Sequence, residues 1–150
     1  MKKNILKLIG TNPNNWATLP LRLAAGLVFI AHGSQKLFGA FGGFGLQGTA
    51  GFFESQLGMK PGILWASLAG CGEFFGGLAL LFGLVTRFFG VVTAIVMTTA
   101  ILSVHIGSFF SDKGGMEYPL TLFLISISLV ISGGGALSID SLITGKPNKK

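Results

Sequence analysis

The sequence has few charged residues. Asp, Glu, Lys and Arg make up 11% of its 150 residues, whereas hydrophobic residues make up 50%. A typical soluble domain carries about 25% charged residues, so this chain cannot cover a globular surface in water. The scarcity excludes an ordinary soluble helical bundle and favours a protein whose outer surface is covered by lipid.

Cysteine is also scarce. Cys71 is the only cysteine, so neither an intrachain disulfide nor a CxxC redox pair can form, and the sequence assigns Cys71 no role. The chain has no flavin or nicotinamide fingerprint, and we predict no metal site. Any electron transfer would therefore need a partner protein or a bound cofactor.

Acidic residues are outnumbered by basic residues, five to eleven, which gives a formal net charge of +6. The excess lies at the two ends and forms no stripe beside aromatic residues, so we predict no nucleic-acid partner. Lysines that flank an apolar body are typical of a topology signal that also attracts anionic lipid. These lysines are Lys2, Lys3, Lys7, Lys146, Lys149 and Lys150.

Four apolar segments are each near the ~20 residues that a helix needs to cross a bilayer. They lack the alternation of barrel strands, so the predicted fold is all-α: a polytopic membrane protein with a four-helix transmembrane bundle. The first outer loop is predicted to hold a short interfacial helix at 49–57. The predicted spans are about 19–38, 63–84, 87–109 and 118–136.

The order of the spans predicts a topology. Only two residues join the second and third spans, so these two must form an antiparallel hairpin. Both lysine-rich ends and the turn at Arg87 then fall on one side, which the positive-inside rule places in the cytoplasm. Close helix packing is expected at Gly33, Gly72, Gly76 and Gly77, because small residues let helix backbones approach.

Ionisable residues inside these spans are the candidates for function, because each charge costs at least about 2.5–3.5 kcal/mol to insert. At 100° per residue, each predicted helix has one face that can point its polar groups inward. Glu73 lies near mid-span among small residues, and we predict that it pairs with Lys36 or His32. The full set is Arg22, His32, Lys36, Glu73, Arg87, His105 and Glu117.

We predict a cavity in the outer half of the membrane, lined by residues of all four spans: His32, Lys36, Glu73, His105 and Glu117. Gly33, Gly70 and Gly77 would leave room beside it. In the competing interpretation the core has no cavity, and these residues only form hydrogen bonds and ion pairs with one another. The side chains of Arg22 and Arg87 could then snorkel to the membrane surface. The only role of Glu117 could be a favourable interaction of its carboxylate with the helix dipole.

Four stretches carry a family resemblance: RLAAGLVFIAHGSQKLFG at 22–39, GEFFGGLALLFGLVTR at 72–87, GMEYPLTLF at 115–123 and GGGALSID at 133–140. In this order they resemble the DoxX family of small four-helix proteins of the bacterial inner membrane. The resemblance implies one domain over residues 1–150 and adds Asp140 to the polar positions. With Arg22 and Arg87, Asp140 would form a cytoplasmic-side polar cluster.

The resemblance also implies a role in quinone-linked or thiol- and sulfur-related redox complexes, since some relatives form part of thiosulfate:quinone oxidoreductase. In that interpretation the polar site binds a quinone head group, and a redox partner protein exchanges the electrons. Haem ligated by His32 and His105 is not favoured. The alternative is a non-enzymatic protein with a polar cavity: a small-solute carrier, a binding protein or an assembly subunit.

Overall fold

A computed structural model describes residues 9–144, and these residues contain helices but no strands. The lysine-rich ends predicted to set the topology lie outside the described residues. Two short 3-10 turns occur, at Ala40–Gly42 and Ser111–Lys113. The helices are α1 (Thr18–Phe38), α2 (Gly45–Ser55), α3 (Gly62–Phe82), α4 (Thr86–Ala100, continued by a π-helical turn at Ile101–His105), α5 (Glu117–Ser132) and α6 (Ile139–Thr144).

Glycines end the two longest helices. Gly39 follows α1 with a φ of 71°, and Gly83 follows α3 with a φ of 66°. This left-handed conformation costs glycine little, because glycine has no Cβ to clash with the backbone. The chain therefore reverses within three residues of Phe82, and α3 and α4 form the predicted tight hairpin.

The four long helices form a ring in which each one packs against two neighbours. α1 packs against α3, α3 against α4, α4 against α5, and α5 against α1. α2 is laid across α1 and α3 on the outside of this ring. The buried core draws on all four long helices and consists of Ala25, Phe29, Leu80, Met97, Leu122 and Leu129.

Glycines let α3 pack closely against its neighbours on two sides, against the backbone of α1 and against side chains of α4. Gly33 of α1 faces α3 so closely that an added Cβ would lie 2.5 Å from the Phe74 nitrogen. A Cβ on Gly77 would lie 2.7 Å from the backbone nitrogen of Ile30. On the other side, Gly72 and Gly76 meet side chains of α4. A larger residue at Gly33 or Gly77 would push α1 and α3 apart, because its Cβ would meet backbone atoms, whereas at Gly72 and Gly76 it would meet methyl groups of Val96 and Thr93 at 3.0 and 2.9 Å.

The predicted segments differ from the helices mainly at their ends. The last span was predicted to reach residue 136, but α5 ends at Ser132, because Gly133 and Gly135 adopt φ values of 73° and 68° and turn the chain. The third was predicted to reach residue 109, but its helical part ends at His105. The short helix predicted at 49–57 is α2.

Two helices of the described part are long and apolar enough to cross a membrane: Gly62–Phe82 and Thr86–His105, with mean hydropathies of 1.5 and 1.9. α5 is apolar but has 16 residues, and α1 contains Arg22 and Lys36. Large apolar side chains point outward from every long helix, among them Leu27, Phe75, Ile95, Leu124 and Ile131. Such an outer surface suits lipid better than water.

Candidate functional site

A buried ion pair joins α1 to α3. Lys36 Nζ lies 2.6 Å from Glu73 Oε2 and donates a hydrogen bond to it. The Glu73 side chain is 4% exposed and that of Lys36 is 27% exposed. Gly70 lies one turn before Glu73, and its lack of a side chain makes room for the side chain of Leu37, the residue after Lys36. Of the two partners predicted for Glu73, the structure selects Lys36.

The ion pair borders a cavity of about 570 Å³ between α1, α2, α3 and α4. This volume is within the range of about 300–1,000 Å³ found for small-molecule sites. Most of its wall is apolar and aromatic, with contributions from Phe44, Phe52, Phe53, Trp65, Leu68 and Ile95. The polar side chains on its wall are those of Gln35, Lys36, Thr49, Glu73, Thr99, Ser103 and His105.

His105 reaches this cavity from the π-helical turn that ends α4. Three successive residues of that turn, Ser103, Val104 and His105, all contribute to the cavity wall. His105 Nδ1 lies 2.7 Å from the carbonyl oxygen of Gly114, in the loop before α5. That contact fixes the orientation of the imidazole ring at the cavity.

His32 and Glu117 lie elsewhere, so the predicted set of five residues divides. His32 Nε2 lies 3.3 Å from the Tyr118 hydroxyl, between α1 and α5. The Glu117 carboxylate accepts a hydrogen bond of 2.9 Å from the Ser111 N–H. The expectation that all four spans line the cavity is wrong, since none of the described residues of α5 borders it. α5 packs instead on another face of α4, where Thr93 and Ser126 share a hydrogen bond.

The glycines expected to leave room at the cavity have another role. At Gly33 and Gly77, the backbone of the facing helix occupies the space where a side chain would lie, so these glycines leave no open volume. The volume comes instead from the gap between the ring and α2. The sequence placed α2 at the membrane surface, but its phenylalanines Phe52 and Phe53 are part of the cavity wall. Hydropathy alone does not show which surface such a helix covers.

Arg22 does not snorkel, and that expectation is wrong for this residue. Its side chain is 1% exposed. Its Nη1 and Nη2 donate hydrogen bonds of 3.0 Å to the carbonyl oxygens of Gly134 and Leu137. Thr18 donates to the same Gly134 oxygen at 2.8 Å. The guanidinium therefore binds the loop after α5 to the start of α1.

Asp140 and Arg87 also bind backbone groups at helix ends. Asp140 is fully buried, and its two carboxylate oxygens accept the N–H groups of Val85 and Thr86 at 2.7 and 2.9 Å. These N–H groups begin α4 and have no partner within that helix. Arg87 donates to the carbonyl oxygens of Val130 and Ile131 at the end of α5.

With its ion pair inside and its large apolar side chains outside, the fold has the character of a helical membrane protein. The chain belongs to the DoxX family, whose sequence model matches residues 17–106. That match contains both residues of the ion pair and His105.

Two relatives extend the similarity over most of the chain. A protein of Bacillus subtilis (strain 168) named "Putative oxidoreductase CatD" is 35% identical over 132 residues, which are 87% of this chain and 90% of that protein. "Uncharacterized membrane protein Rv3486" of Mycobacterium tuberculosis is 33% identical over 131 residues, which are 80% of this chain and 77% of that protein. No solved structure matches the chain.

Proposed function

We propose that this DoxX protein binds a quinone in the membrane as a subunit of a redox complex. The observation that carries the proposal is a buried ion pair, Lys36–Glu73, at the wall of an otherwise apolar cavity. Small-molecule sites combine such apolar walls with a few convergent polar groups that orient the ligand. The oxidoreductase name of the Bacillus subtilis relative is in keeping with a redox role.

The two charged groups suit a quinone head group in different ways. The Lys36 ammonium has only donors, so it can bind a carbonyl oxygen and stabilise negative charge that develops there. The Glu73 carboxylate can hold a proton. Reduction of a quinone to a hydroquinone takes two electrons and two protons. The electrons would come from a redox partner protein and the two protons from water, one of them by way of Glu73.

The cavity also suits a ligand that arrives from the bilayer. Its wall includes Phe44, Leu68 and Ile95, all of which are exposed on the outer surface of the protein. Phe44 is 84% exposed. The apolar wall therefore continues onto the surface that lipid would cover, so an isoprenoid tail could extend outward while the head group stays near Lys36.

The proposal includes a membrane topology. α1, α3, α4 and α5 would cross the bacterial inner membrane, and both ends of the chain would lie in the cytoplasm. α1 and α5 are the less apolar or shorter helices, and their packing against α3 and α4 supports their insertion. The buried Arg22 and the half-buried Arg87 at one end of the bundle, and the Lys36–Glu73 pair toward the other, fit this orientation.

A non-enzymatic carrier for a small solute remains the alternative function. The same ion pair could bind a polar solute, but the apolar wall favours a lipophilic ligand. Counterflow of a labelled solute in proteoliposomes, with the Lys36→Met variant as control, would support the carrier instead.

Trp65 provides a direct test, because it lies on the cavity wall and only one other tryptophan exists, Trp16. In a Trp16→Phe background reconstituted in nanodiscs, decylubiquinone should quench Trp65 emission saturably. Lys36→Met should weaken that binding about tenfold, since a hydrogen bond to a charged group contributes about 1.5–3 kcal/mol.

Two controls accompany this titration. Lys113→Met removes an exposed lysine of a surface turn and should leave the binding unchanged. A Trp65→Phe background reports from Trp16 and should show only the unsaturable quenching of quinone dissolved in lipid. Unsaturable quenching of Trp65 as well would refute quinone binding in this cavity.

A further inference from the structure

The position of His105 suggests a more specific role than that of a wall residue. We infer that His105 makes the cavity selective for a ligand that carries a hydroxyl group, such as the hydroquinone form of a quinone, by accepting its hydrogen bond at Nε2. This inference rests on the proposed function, because it specifies which form of the ligand the same cavity prefers.

The first step is the tautomer of His105. Its Nδ1 lies 2.7 Å from the Gly114 carbonyl oxygen, and a carbonyl oxygen can only accept a hydrogen bond. Nδ1 therefore carries the proton. In the neutral ring the other nitrogen, Nε2, then has a lone pair and can only accept. The backbone contact thus turns His105 into an acceptor.

The second step is the way in which the ring reaches the cavity. His105 is the last residue of the π-helical turn Ile101–His105, which ends α4. In this turn Ser103, Val104 and His105 all border the cavity. The half-buried imidazole is consequently held by its Gly114 contact at the wall, where a ligand can meet it.

His105 and the ion pair offer a ligand different groups. Lys36 offers donors only, while Glu73 accepts the Lys36 hydrogen bond at Oε2 and its side chain is 4% exposed, so the half-buried His105 is the more accessible acceptor. A ligand that satisfies both Lys36 and His105 needs one oxygen that accepts and one hydroxyl that donates. A hydroquinone has both. An oxidised quinone has only acceptors, so it would leave Nε2 unpaired, and an unpaired polar group that has lost its water costs about 1–3 kcal/mol.

The test measures the affinity of oxidised decylubiquinone by Trp65 quenching, in the Trp16→Phe background and without oxygen, and the affinity of the reduced form by its competition with the oxidised form. The parent protein should bind the hydroquinone about tenfold more tightly than the quinone. His105→Leu should abolish this preference and tighten the binding of the quinone, because no polar nitrogen is then left unpaired, whereas loss of the fold would weaken the binding of both forms.

Two further variants separate the acceptor role from a structural role. His105→Gln can place its amide oxygen near the Nε2 position, so it should keep part of the preference. His105→Asn can still donate to Gly114 but does not reach as far, so it should lose the preference as His105→Leu does. Equal affinities for both forms in the parent protein, or a preference that survives in His105→Leu, would overturn the assignment.

The outcomes also distinguish this assignment from the proposed function. Saturable binding of both forms with equal affinity overturns the role of His105 but still supports the proposed quinone site. Absence of saturable binding for either form in the parent protein overturns the proposed function, and the assignment of His105 with it.

Discussion

Four of the five carboxylates in the sequence have a defined partner in the structure. Glu73 pairs with Lys36, and the other three accept backbone N–H groups: Glu54 that of Gly62, Glu117 that of Ser111, and Asp140 those of Val85 and Thr86. Glu73 and Asp140 are buried, so each of them stabilises a specific group that lipid could not solvate. The pairing of charges at this scale therefore determines where the helices begin and how they meet.

Glu73 was predictable from the sequence, whereas the role of Asp140 was not. A carboxylate in the middle of an apolar segment requires a partner, and only a few cations can reach it. Asp140, by contrast, caps N–H groups that are 54 and 55 residues away in the sequence. Such a cap follows from the tertiary fold, because no local motif connects the two positions.

The first prediction concerns the Lys36–Glu73 pair. Glu73→Gln should destabilise the bundle by about 3–5 kcal/mol, because it leaves the Lys36 charge without its partner in a low-dielectric environment. Lys36→Met should act similarly. The measurement is the thermal unfolding midpoint in detergent. The double variant should recover part of the loss, since neither charge is then left alone. A Glu73→Gln protein that unfolds at the wild-type temperature would show that the pair contributes little.

At the scale of elements, the sequence predicted the four long helices from the length and apolarity of their segments. It predicted less well where they end. The segment Gly133–Gly135 was predicted as the end of an apolar span. Positive φ values at Gly133 and Gly135 turn the chain there, so the helix ends before this segment. The sequence also located α2 without showing which helices it covers. Its contact with α1 and α3 depends on tertiary packing, which hydropathy does not reveal.

The second prediction concerns the packing of α1 against α3. Gly33→Ala would place a Cβ 2.5–2.8 Å from the backbone nitrogen, Cα and Cβ of Phe74, and such overpacking typically costs about 1–3 kcal/mol. The unfolding midpoint should fall, and saturable quinone binding should weaken, because Lys36 lies one turn away on the same helix.

Gly51→Ala is the matched control. Gly51 lies in α2, and an added Cβ would meet no atom within 4 Å. Alanine favours helix over glycine by about 1 kcal/mol, so this variant should be as stable as the parent protein or more stable. If both alanine variants behave alike, close packing at Gly33 is not what holds α1 against α3.

At the scale of the whole molecule, the two ends of the bundle differ. Arg22, Arg87 and Asp140 bind backbone groups and join helix ends, while Lys36, Glu73 and His105 border the cavity. One end is thus joined by hydrogen bonds to backbone groups, and the other borders the cavity in which we propose that a ligand binds. The sequence indicated both groups of residues. It did not indicate that α5 packs away from the cavity, and this packing separates His32 and Glu117 from the site.

The third prediction is the proposed topology. Reporter fusions at Gly43, in the loop before α2, and at Lys113, in the loop before α5, should give the signal of the periplasmic side. Fusions at residue 85 in the α3–α4 turn should give the cytoplasmic signal, because Arg87 and the lysine-rich ends should remain inside. A cytoplasmic signal from Gly43 or Lys113 would exclude four crossings with both ends in the cytoplasm.

The central claim is that a quinone head group occupies the cavity beside Lys36 and Glu73. Photo-cross-linking of the membrane-embedded protein with an azido-quinone, followed by peptide mapping, tests it most directly. We expect labels at 44–59, 65–73 and 92–105, which contain most of the cavity wall. Excess unlabelled quinone and Lys36→Met should both reduce them. Labels confined to the outward face of α5, at residues such as Leu124 and Ile131, or labels that unlabelled quinone does not reduce, would contradict it.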